Sequence, residues 1–336
     1  MKRVLLVAGA DHTGRDRAAA ARVQQVSHLL QGMNCVVDLL SADPGTDDQC
    51  TTPDWPEGVA HVGVAPIDPR MLSQPENTQP LASLIAGMVR APGYDAVFMC
   101  RTSLPEHVLP GIPRAFDVAD GRVAAWPTRS PELHLAADEA LRQVSAGGAA
   151  RSARWPLAVP AMRVSSSADG PIGWPGDVDG DLARAWGQLA SDLGQSGAKL
   201  EQGLMLNSNV HVPRSMSRMR IDPVDYSLAA QMRAIALGVL PISDIAGHLP
   251  MIIELVGRGV PVLTTPPVAD RFEGRWNLPV ADDMGGMAGW IDGWVHGRDV
   301  DALRHAAAKT ANNLRQDALA MDAFVRGLVT EMLGLT

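Results

Sequence analysis

The sequence predicts an α/β protein built from two Rossmann-like, doubly wound lobes that face each other across a cleft. Its 336 residues suffice for two domains of ordinary size. Short apolar segments alternate with longer segments of helical periodicity through both halves of the chain. The apolar segments show no polar face, which is typical of parallel strands that helices cover on both sides. Apolar residues make up 46% of the chain, and a largely disordered protein is therefore excluded.

The first half of the chain opens with a predicted strand, Val4–Ala8, followed by a predicted helix over Arg15–Leu30, where apolar residues recur at helical spacing. Further short apolar runs predict strands at Cys35–Leu40, Val59–Val64, Asp95–Cys100, Arg122–Trp126 and Trp155–Val159. Two further segments of helical periodicity are Leu81–Val89 and Glu132–Val144.

The second half repeats this scheme. Helices are predicted over Leu182–Leu193, Val224–Ile235, Pro250–Gly257, Met287–Val295 and Asp301–Leu333. Strands are predicted over Gly203–Val210, Val239–Ile242, Val260–Thr264 and Trp276–Val280. Pro250 suits a first helical turn, and Gly257 and Gly259 suit a helix end.

Small and polar residues at 165–171 indicate a linker between the lobes. We therefore expect a first lobe over residues 1–165 and a second over residues 171–310. Residues 311–336 are expected to form a C-terminal helix that packs back on the first lobe. The cleft between such lobes is where their ligands normally bind.

The composition excludes several classes of protein. A net charge of −8 gives no electrostatic footprint for nucleic acid, so a nucleic-acid acceptor is not indicated. Only three of the 29 basic residues are lysines, so an anion site would be built from arginine. Three widely spaced cysteines fit neither a disulfide framework nor a zinc site, which favours a reducing cytoplasm. The apolar run after Met1 ends at Asp11 without a cleavage region, so we expect neither a signal peptide nor a transmembrane segment. Peripheral contact with a membrane and the oligomeric state both stay open.

The most specific pattern lies in the second lobe. A strand ends at Pro241, a loop follows, and residues 250–262 read Pro-Met-Ile-Ile-Glu-Leu-Val-Gly-Arg-Gly-Val-Pro-Val. Together with the segment 278–283, this pattern resembles the donor lobe of GT-B glycosyltransferases. It is most similar to the retaining group that includes bacterial mannosyl- and glucosyltransferases. The match covers residues 222–310, whereas the first lobe matches in architecture alone.

The resemblance implies a donor site for a UDP- or GDP-sugar, with no metal and no other cofactor. The loop that contains Gly247 and His248 would place the N–H groups of a helix N-terminus at the diphosphate. Glu254 resembles the glutamate that holds the ribose hydroxyls in that family. A helix glutamate that simply faces solvent is the structural alternative.

The sequence also departs from the family pattern. Ala246 occupies the position of a first glutamate, for which the nearby Asp244 is a substitute or a turn residue. The segment 172–181 is acidic where the family has an arginine and a lysine for the diphosphate. Arg214 and Arg218 form the one local arginine cluster suited to bidentate phosphate binding, unless they are a solvated loop.

Two arginines further along the chain, Arg271 and Arg275, are a second choice for the diphosphate. They follow the predicted strand Val260–Thr264. Trp174 and Trp276 are candidates for stacking on a sugar, although packing in the core is the default for tryptophan.

In the first lobe, the loop after the first strand contains Gly9, Asp11, His12 and Gly14. The two glycines would let the backbone approach a phosphate or a sugar, but their spacing is not a dinucleotide fingerprint. His12 is a candidate general base because imidazole titrates near neutral pH. A solvated loop histidine is the alternative.

Arg101 follows the strand Asp95–Cys100, where the retaining family has a histidine, and is a candidate to hold a phosphate or a sugar hydroxyl. Asp117 and Asp120 are candidates to orient a base or to cap a turn. The leading hypothesis is a metal-independent glycosyltransferase with an unknown acceptor and undecided stereochemistry. A non-catalytic GT-B-like binding or scaffold protein and a sugar-nucleotide isomerase or epimerase on the same fold are the alternatives.

Overall fold

The computed structural model describes residues 1–8, 17–43, 58–66, 87, 93–100, 112–118, 133–137, 142–143, 151–160, 170–175, 180–195, 204–206, 221–223, 228–243 and 248–335. The chain forms two compact units. The first consists of Met1–Ala158 with Asp317–Thr336, and the second of Val159–Gln316. The sequence-based lobe limits, with a boundary at 165–171, stay predictions.

The described part of the first unit contains one sheet of parallel strands. They are β1 (Arg3–Ala8), β2 (Val36–Asp43), β3 (Ala60–Pro66), β4 (Ala96–Cys100), β5 (Arg114–Val118), β6 (Leu133–Ala136) and β7 (Ser152–Arg154). Their spatial order is β3-β2-β1-β4-β5-β6-β7. The strand order therefore reverses between β1 and β4, where Ala8 lies opposite Cys100.

The described part of the second unit contains a second parallel sheet. Its strands are β8 (Ile172–Gly173), β9 (Leu204–Leu206), β10 (Ile221–Pro223), β11 (Leu237–Leu240) and β12 (Val262–Thr264). Their order is β10-β9-β8-β11-β12, and Val280 adds one parallel bridge to Thr264. This order reverses between β8 and β11.

Helices lie between and after these strands. Those in the described residues are α1 (Arg17–Gln31), α2 (Gly180–Gln195), α3 (Leu228–Ala234), α4 (Leu249–Gly257), α5 (Pro266–Asp270), α6 (Met284–Val295) and α7 (Val300–Leu333). The N-terminal part of α7 belongs to the second unit and its last residues, from Asp317, to the first. None of the described helices is both long and apolar enough to cross a bilayer.

The first unit buries its main core on one face of its sheet, where α1 and the end of α7 supply apolar side chains. Leu6, Phe98, Leu135, Leu30 and Val325 are all fully buried in this core. On a parallel strand alternate residues face the same side, so the neighbours Phe116 and His134 lie on the opposite face.

A buried polar network holds the elements of this core together. Arg22 of α1 pairs with Asp117 of β5 at 2.9 Å, and both side chains are fully buried. Arg22 also donates to the carbonyl oxygen of Trp155, and its guanidinium lies 4.7 Å from the centre of the Trp155 ring. The Trp155 indole N–H donates to Asp322 of α7. Residues from α1, β5 and α7 therefore share one network.

The predicted fold class is confirmed as α/β with two parallel sheets. Three predicted elements are wrong. The segment Trp276–Val280 is not a strand, because Val280 forms only an isolated bridge to Thr264. A helix was expected at Glu132–Val144, but Leu133–Ala136 in that range is strand β6. Among the described residues of the range, helix is present at 142–143. The strand expected at Trp155–Val159 is instead β7 at Ser152–Arg154, while residues 155–160 have no regular structure.

Strands β5, β8 and β10 were not predicted from the sequence. Charged residues interrupt β5, since both Arg114 and Asp117 lie in it and are buried. β8 and β10 have two and three residues, which is too short for a periodic signal. The predicted strand 122–126 and most of the predicted helix 81–89 lie outside the described residues.

Candidate functional site

The point where the strand order of the second sheet reverses lies between β8 and β11. The two strands are parallel neighbours, with Gly173 opposite Gly238. In open α/β sheets, ligands bind outside the carboxyl ends of the strands at such a point. Trp174 and Pro175 follow β8 at this edge, and residues 241–243 follow β11.

Helix α4 begins at this edge. His248 is its N-cap residue, and Pro250 lies in its first turn, where a missing N–H leaves no hydrogen bond unmade. The rings of His248 and Trp174 meet edge to face, with their centres 5.7 Å apart and their planes at 75°. Because Trp174 is buried after β8, this contact ties the start of α4 to the carboxyl end of that strand. The N–H groups and the positive dipole end of α4 therefore favour an anion here.

The sequence holds α4 in this position by its apolar face and by its C-terminal end. Most of its residues are buried, among them Ile252, Leu255 and Val256. At its end the N–H of Val260 donates to the Leu255 carbonyl oxygen at 3.0 Å, and the N–H of Gly259 to that of Val256 at 2.9 Å. This is a Schellman motif, and Gly259 supplies the required left-handed backbone at φ +81°.

Glu254 lies in the middle of α4 and is paired with Arg258, one helical turn further on. The Arg258 Nη2 lies 2.7 Å and its Nε 3.2 Å from one oxygen of the carboxylate, Oε1. The exposed fractions of the side chains are 18% for Glu254 and 29% for Arg258. Glu254 is thus a partly shielded, ion-paired carboxylate and not a freely solvated helix residue.

The end of β12 is tied to the end of β11, since the Thr265 hydroxyl donates to the Ile242 carbonyl oxygen at 2.6 Å. Beyond α5, the rings of Phe272 and Trp276 stack with centres 4.8 Å apart. The stacking partner of Trp276 is therefore a side chain of the same segment.

The second-choice arginines lie in this segment. The Arg275 Nη1 donates to the Glu273 carboxylate at 3.0 Å, so Arg275 has a local partner. Arg271 is the C-cap residue of α5 and is half-buried. Asp283, in the segment that resembles the family, caps α6 by accepting a hydrogen bond from the Gly286 N–H at 2.7 Å.

Most of the site residues expected from the sequence lie outside the described residues. This holds for Gly9, Asp11, His12, Gly14, Arg101, Arg214, Arg218 and Gly247, together with Asp120, Asp244 and Ala246. Of the expected donor residues, the structure describes His248, the N-cap of α4, and Glu254, in the middle of α4. Among the described residues no group of three or more His, Cys, Asp or Glu side chains is arranged to hold a metal ion.

Asp117, a candidate to orient a catalytic base, forms the buried ion pair with Arg22. Sequence reasoning missed that pair, and also the Arg258 partner of Glu254. The spacing of Glu254 and Arg258 by four residues on a helix is the signal that would have found the second pair. Nothing local in the sequence indicates the first, because its partners are far apart along the chain.

The two parallel sheets, each with a reversal of strand order, and the helix at the second reversal define the fold of GT-B glycosyltransferases. The chain has that fold. It is similar to sucrose-phosphate synthase from Thermosynechococcus elongatus, with a TM-score of 0.64 and 16% identity over 98% of this chain and 100% of that chain. It is also similar to α,α-trehalose 6-phosphate synthase from Burkholderia multivorans, with a TM-score of 0.59 and 13% identity over 100% of both chains.

A third similar structure is HepE from Anabaena in complex with UDP and glucose. Its TM-score is 0.57, with 14% identity over 100% of both chains. No protein-family model matches the chain, and no curated protein matches it in sequence. At these identities the likeness shows the fold.

Proposed function

We propose that the chain is a glycosyltransferase that transfers a sugar from a UDP- or GDP-sugar to an acceptor. The observation that carries this proposal is the start of α4 at the strand-order reversal of the second sheet, with His248 against Trp174. A helix N-terminus at that edge suits the diphosphate of a nucleotide sugar. The similar HepE structure, which contains UDP and glucose, supports the same ligand class.

In this proposal Gly247 and His248 lie beside the diphosphate, and Glu254 accepts hydrogen bonds from the ribose hydroxyls. Arg214 and Arg218 neutralise the diphosphate as it leaves, without a metal. Their place in the chain supports this role, because they follow β9, the neighbour of β8 in the sheet. The retaining resemblance of residues 222–310 supports the role of Glu254.

The acceptor side is assigned to the first unit. Gly9, Asp11, His12 and Gly14 follow β1, and Arg101 follows β4. The support is the register of the first sheet, where the last residues of these strands, Ala8 and Cys100, lie opposite each other at the reversal of strand order. His12 is a base if the reaction inverts the anomeric centre. It is a loop residue near the acceptor if the reaction retains it.

A second candidate is a non-catalytic protein that binds a nucleotide sugar. Two departures from the family pattern favour it, namely Ala246 in place of a glutamate and the acidic segment 172–181. Both remove groups that would contact the sugar or the diphosphate, while Glu254 and the start of α4 stay in place.

The test is a thermal unfolding series of the full chain with UDP, GDP and UDP-glucose, each with and without EDTA, followed by product analysis. We expect a nucleotide to raise the unfolding temperature, because a ligand of the folded state stabilises it by mass action. We expect EDTA to leave that shift unchanged and the donor sugar to be released or transferred. Binding without turnover favours the second candidate, and an altered sugar on the donor favours an isomerase. Absence of any nucleotide binding contradicts the proposal.

A further inference from the structure

We infer that Arg258 is a positioning residue of the nucleoside site: it holds the Glu254 carboxylate in the orientation that accepts the ribose hydroxyls. This inference rests on the proposed function. It starts from the contact between the two side chains, which the family pattern does not require. Arg258 touches neither sugar nor phosphate in this assignment, and it acts through Glu254.

Two nitrogens of Arg258, Nη2 at 2.7 Å and Nε at 3.2 Å, converge on one oxygen, Glu254 Oε1. Two charge-assisted hydrogen bonds from one planar guanidinium restrict the carboxylate more than a single contact does. The glutamate side chain has three rotatable bonds, and holding one of its oxygens removes most of that freedom before a ligand arrives. Binding of a diol to a carboxylate in a fixed orientation loses less conformational entropy.

The guanidinium itself starts from a rigid point of the backbone. Arg258 is the C-cap of α4, and its N–H donates to the carbonyl oxygens of Glu254 and Leu255, both at 3.0 Å. The Schellman motif at Gly259 and Val260 fixes the next two residues. The pair is also partly shielded, with 18% and 29% of the two side chains exposed, so water screens it less than a fully exposed pair.

The ion pair also reduces the electrostatic repulsion between the Glu254 carboxylate and the proposed anionic ligand. A nucleoside diphosphate is an anion, and an unpaired carboxylate near it would repel it. A carboxylate paired with a guanidinium offers acceptor oxygens to the ribose with its charge balanced. Both bonds from Arg258 end on Oε1, so the pair holds the carboxylate through one of its two oxygens.

The alternative is an ordinary helix pair. A glutamate four residues before an arginine stabilises an exposed helix slightly, and this occurs without any ligand. The two roles differ in one observable. A helix-stabilising pair affects the binding of all nucleotides alike, whereas a positioning residue affects only ligands with ribose hydroxyls.

The experiment is calorimetric titration of the full chain with UDP and with 2′,3′-dideoxy-UDP, or with the guanosine pair if wild type binds GDP and not UDP. The proteins are wild type, Arg258→Ala, Arg258→Lys and a matched control, Arg184→Ala. Arg184 pairs with Asp181 on α2 in the same i, i+3/i+4 class of helix pair, and both side chains are exposed. Arg258→Lys keeps the charge but not the two-pronged contact, and it keeps the test valid if the alanine variant does not fold.

We expect Arg258→Ala to weaken binding of the intact nucleotide about tenfold and binding of the dideoxy analogue by less than about twofold. Arg258→Lys should lie between wild type and Arg258→Ala, and Arg184→Ala should match wild type. An equal loss of affinity for both ligands, or no loss for either, overturns the inference. The proposed function still stands in that case if wild type binds the intact nucleotide more tightly than the dideoxy analogue. If wild type binds neither UDP nor GDP, the proposed function fails, and the inference fails with it.

Discussion

Glu254 is the residue on which the proposed nucleoside site depends, since it is the one described carboxylate on α4. Glu254→Ala should weaken nucleotide binding by about 1–3 kcal/mol, the usual contribution of a hydrogen bond to a charged group. Calorimetric titration with UDP and GDP measures this change. The fold should persist, because the lost helix pair with Arg258 contributes only about 0.5 kcal/mol.

The control for Glu254→Ala is Asp192→Ala, which removes a carboxylate that accepts a hydrogen bond from Gln188, four residues earlier on α2. It should leave nucleotide binding unchanged. Unaltered affinity in Glu254→Ala, with a normal unfolding temperature, would remove Glu254 from the site.

His134 is a second residue whose environment has a measurable consequence. It lies on β6 with 1% of its surface exposed, and neither ring nitrogen has a hydrogen-bond partner among the described residues. Burial, and to a lesser extent the charge of Arg142, lowers its pKa to about 4. A histidine whose folded-state pKa lies below its unfolded value of about 6.5 binds a proton more readily when unfolded. Above about pH 6.5 the imidazole is neutral in both states, so it does not lower the free energy of unfolding there.

Stability should fall as the pH decreases from about 6.5 towards 4, by up to roughly 3 kcal/mol from His134 alone. Urea unfolding at pH 7 and pH 5 measures the loss, and His134→Leu should reduce the difference between the two pH values. Ser152→Ala is the matched control, because Ser152 lies opposite His134 on β7 and its removal keeps the imidazole. An unchanged pH difference in His134→Leu would show that other groups cause the acid sensitivity.

At the scale of elements, the buried Arg22–Asp117 pair joins α1 to β5, and Trp155 links the same network to α7. Arg22→Met should destabilise the protein by about 3–5 kcal/mol, because it leaves the buried Asp117 carboxylate without its cation. The double variant Arg22→Met/Asp117→Leu should recover much of the loss, since apolar replacement of a whole buried pair is often neutral. Urea unfolding of both variants tests this.

For comparison, Arg184→Met disrupts an exposed pair on α2 and should change the free energy of unfolding by less than about 1 kcal/mol. A double variant no more stable than Arg22→Met alone would contradict the assigned electrostatic origin. Loss of packing around Trp155 would then be the cause.

The elements that the sequence predicted well are those with a strong local signal. β1 and β4 are uninterrupted apolar runs, and α4 combines a proline in its first turn, an apolar face and a glycine after its end. For these elements periodicity and end signals agree, and the structure differs by a residue or two. Local chemistry alone is enough for them.

The elements that the sequence missed depend on contacts between distant residues. β5 contains Arg114 and Asp117, and its charges are tolerated because Asp117 pairs with Arg22, ninety-five positions earlier in the chain. The residues of β6 also fit helical spacing, since Leu133, Ala136 and Ala137 would lie on one face of a helix. Its strand character comes from pairing with β5 and β7 on both sides. No local pattern carries that information.

At the scale of the whole molecule, the candidate site also divides into parts with a local sequence signal and parts without one. The motif that predicts α4 is contiguous in the sequence, so His248 and Glu254 are predictable from it. The contacts of His248 with Trp174 and of Glu254 with Arg258 are not predictable in this way. An edge-to-face ring contact and a contact of two guanidinium nitrogens with one carboxylate oxygen depend on side-chain geometry. The acceptor-side residues stay predictions.

The last prediction concerns the course of the whole reaction, which the role of His12 decides. A general base there would need a carboxylate to fix its tautomer. Of the two candidates, Asp117 is held by Arg22 in a fully buried pair, and Asp120 lies outside the described residues. A carboxylate neutralised by a guanidinium is a poorer partner for an imidazole. We therefore expect transfer with retention, as the donor-lobe resemblance implies, with the donor phosphate taking the acceptor proton.

His12→Ala should then lower the transfer rate by less than about tenfold, well below the 10²–10⁴-fold typical of a lost general base. The measurement is the transfer rate together with the anomeric configuration of the product, in wild type and in His12→Ala. A large rate loss with unchanged donor affinity and an inverted product would contradict this expectation, because a general base at His12 accounts for both results.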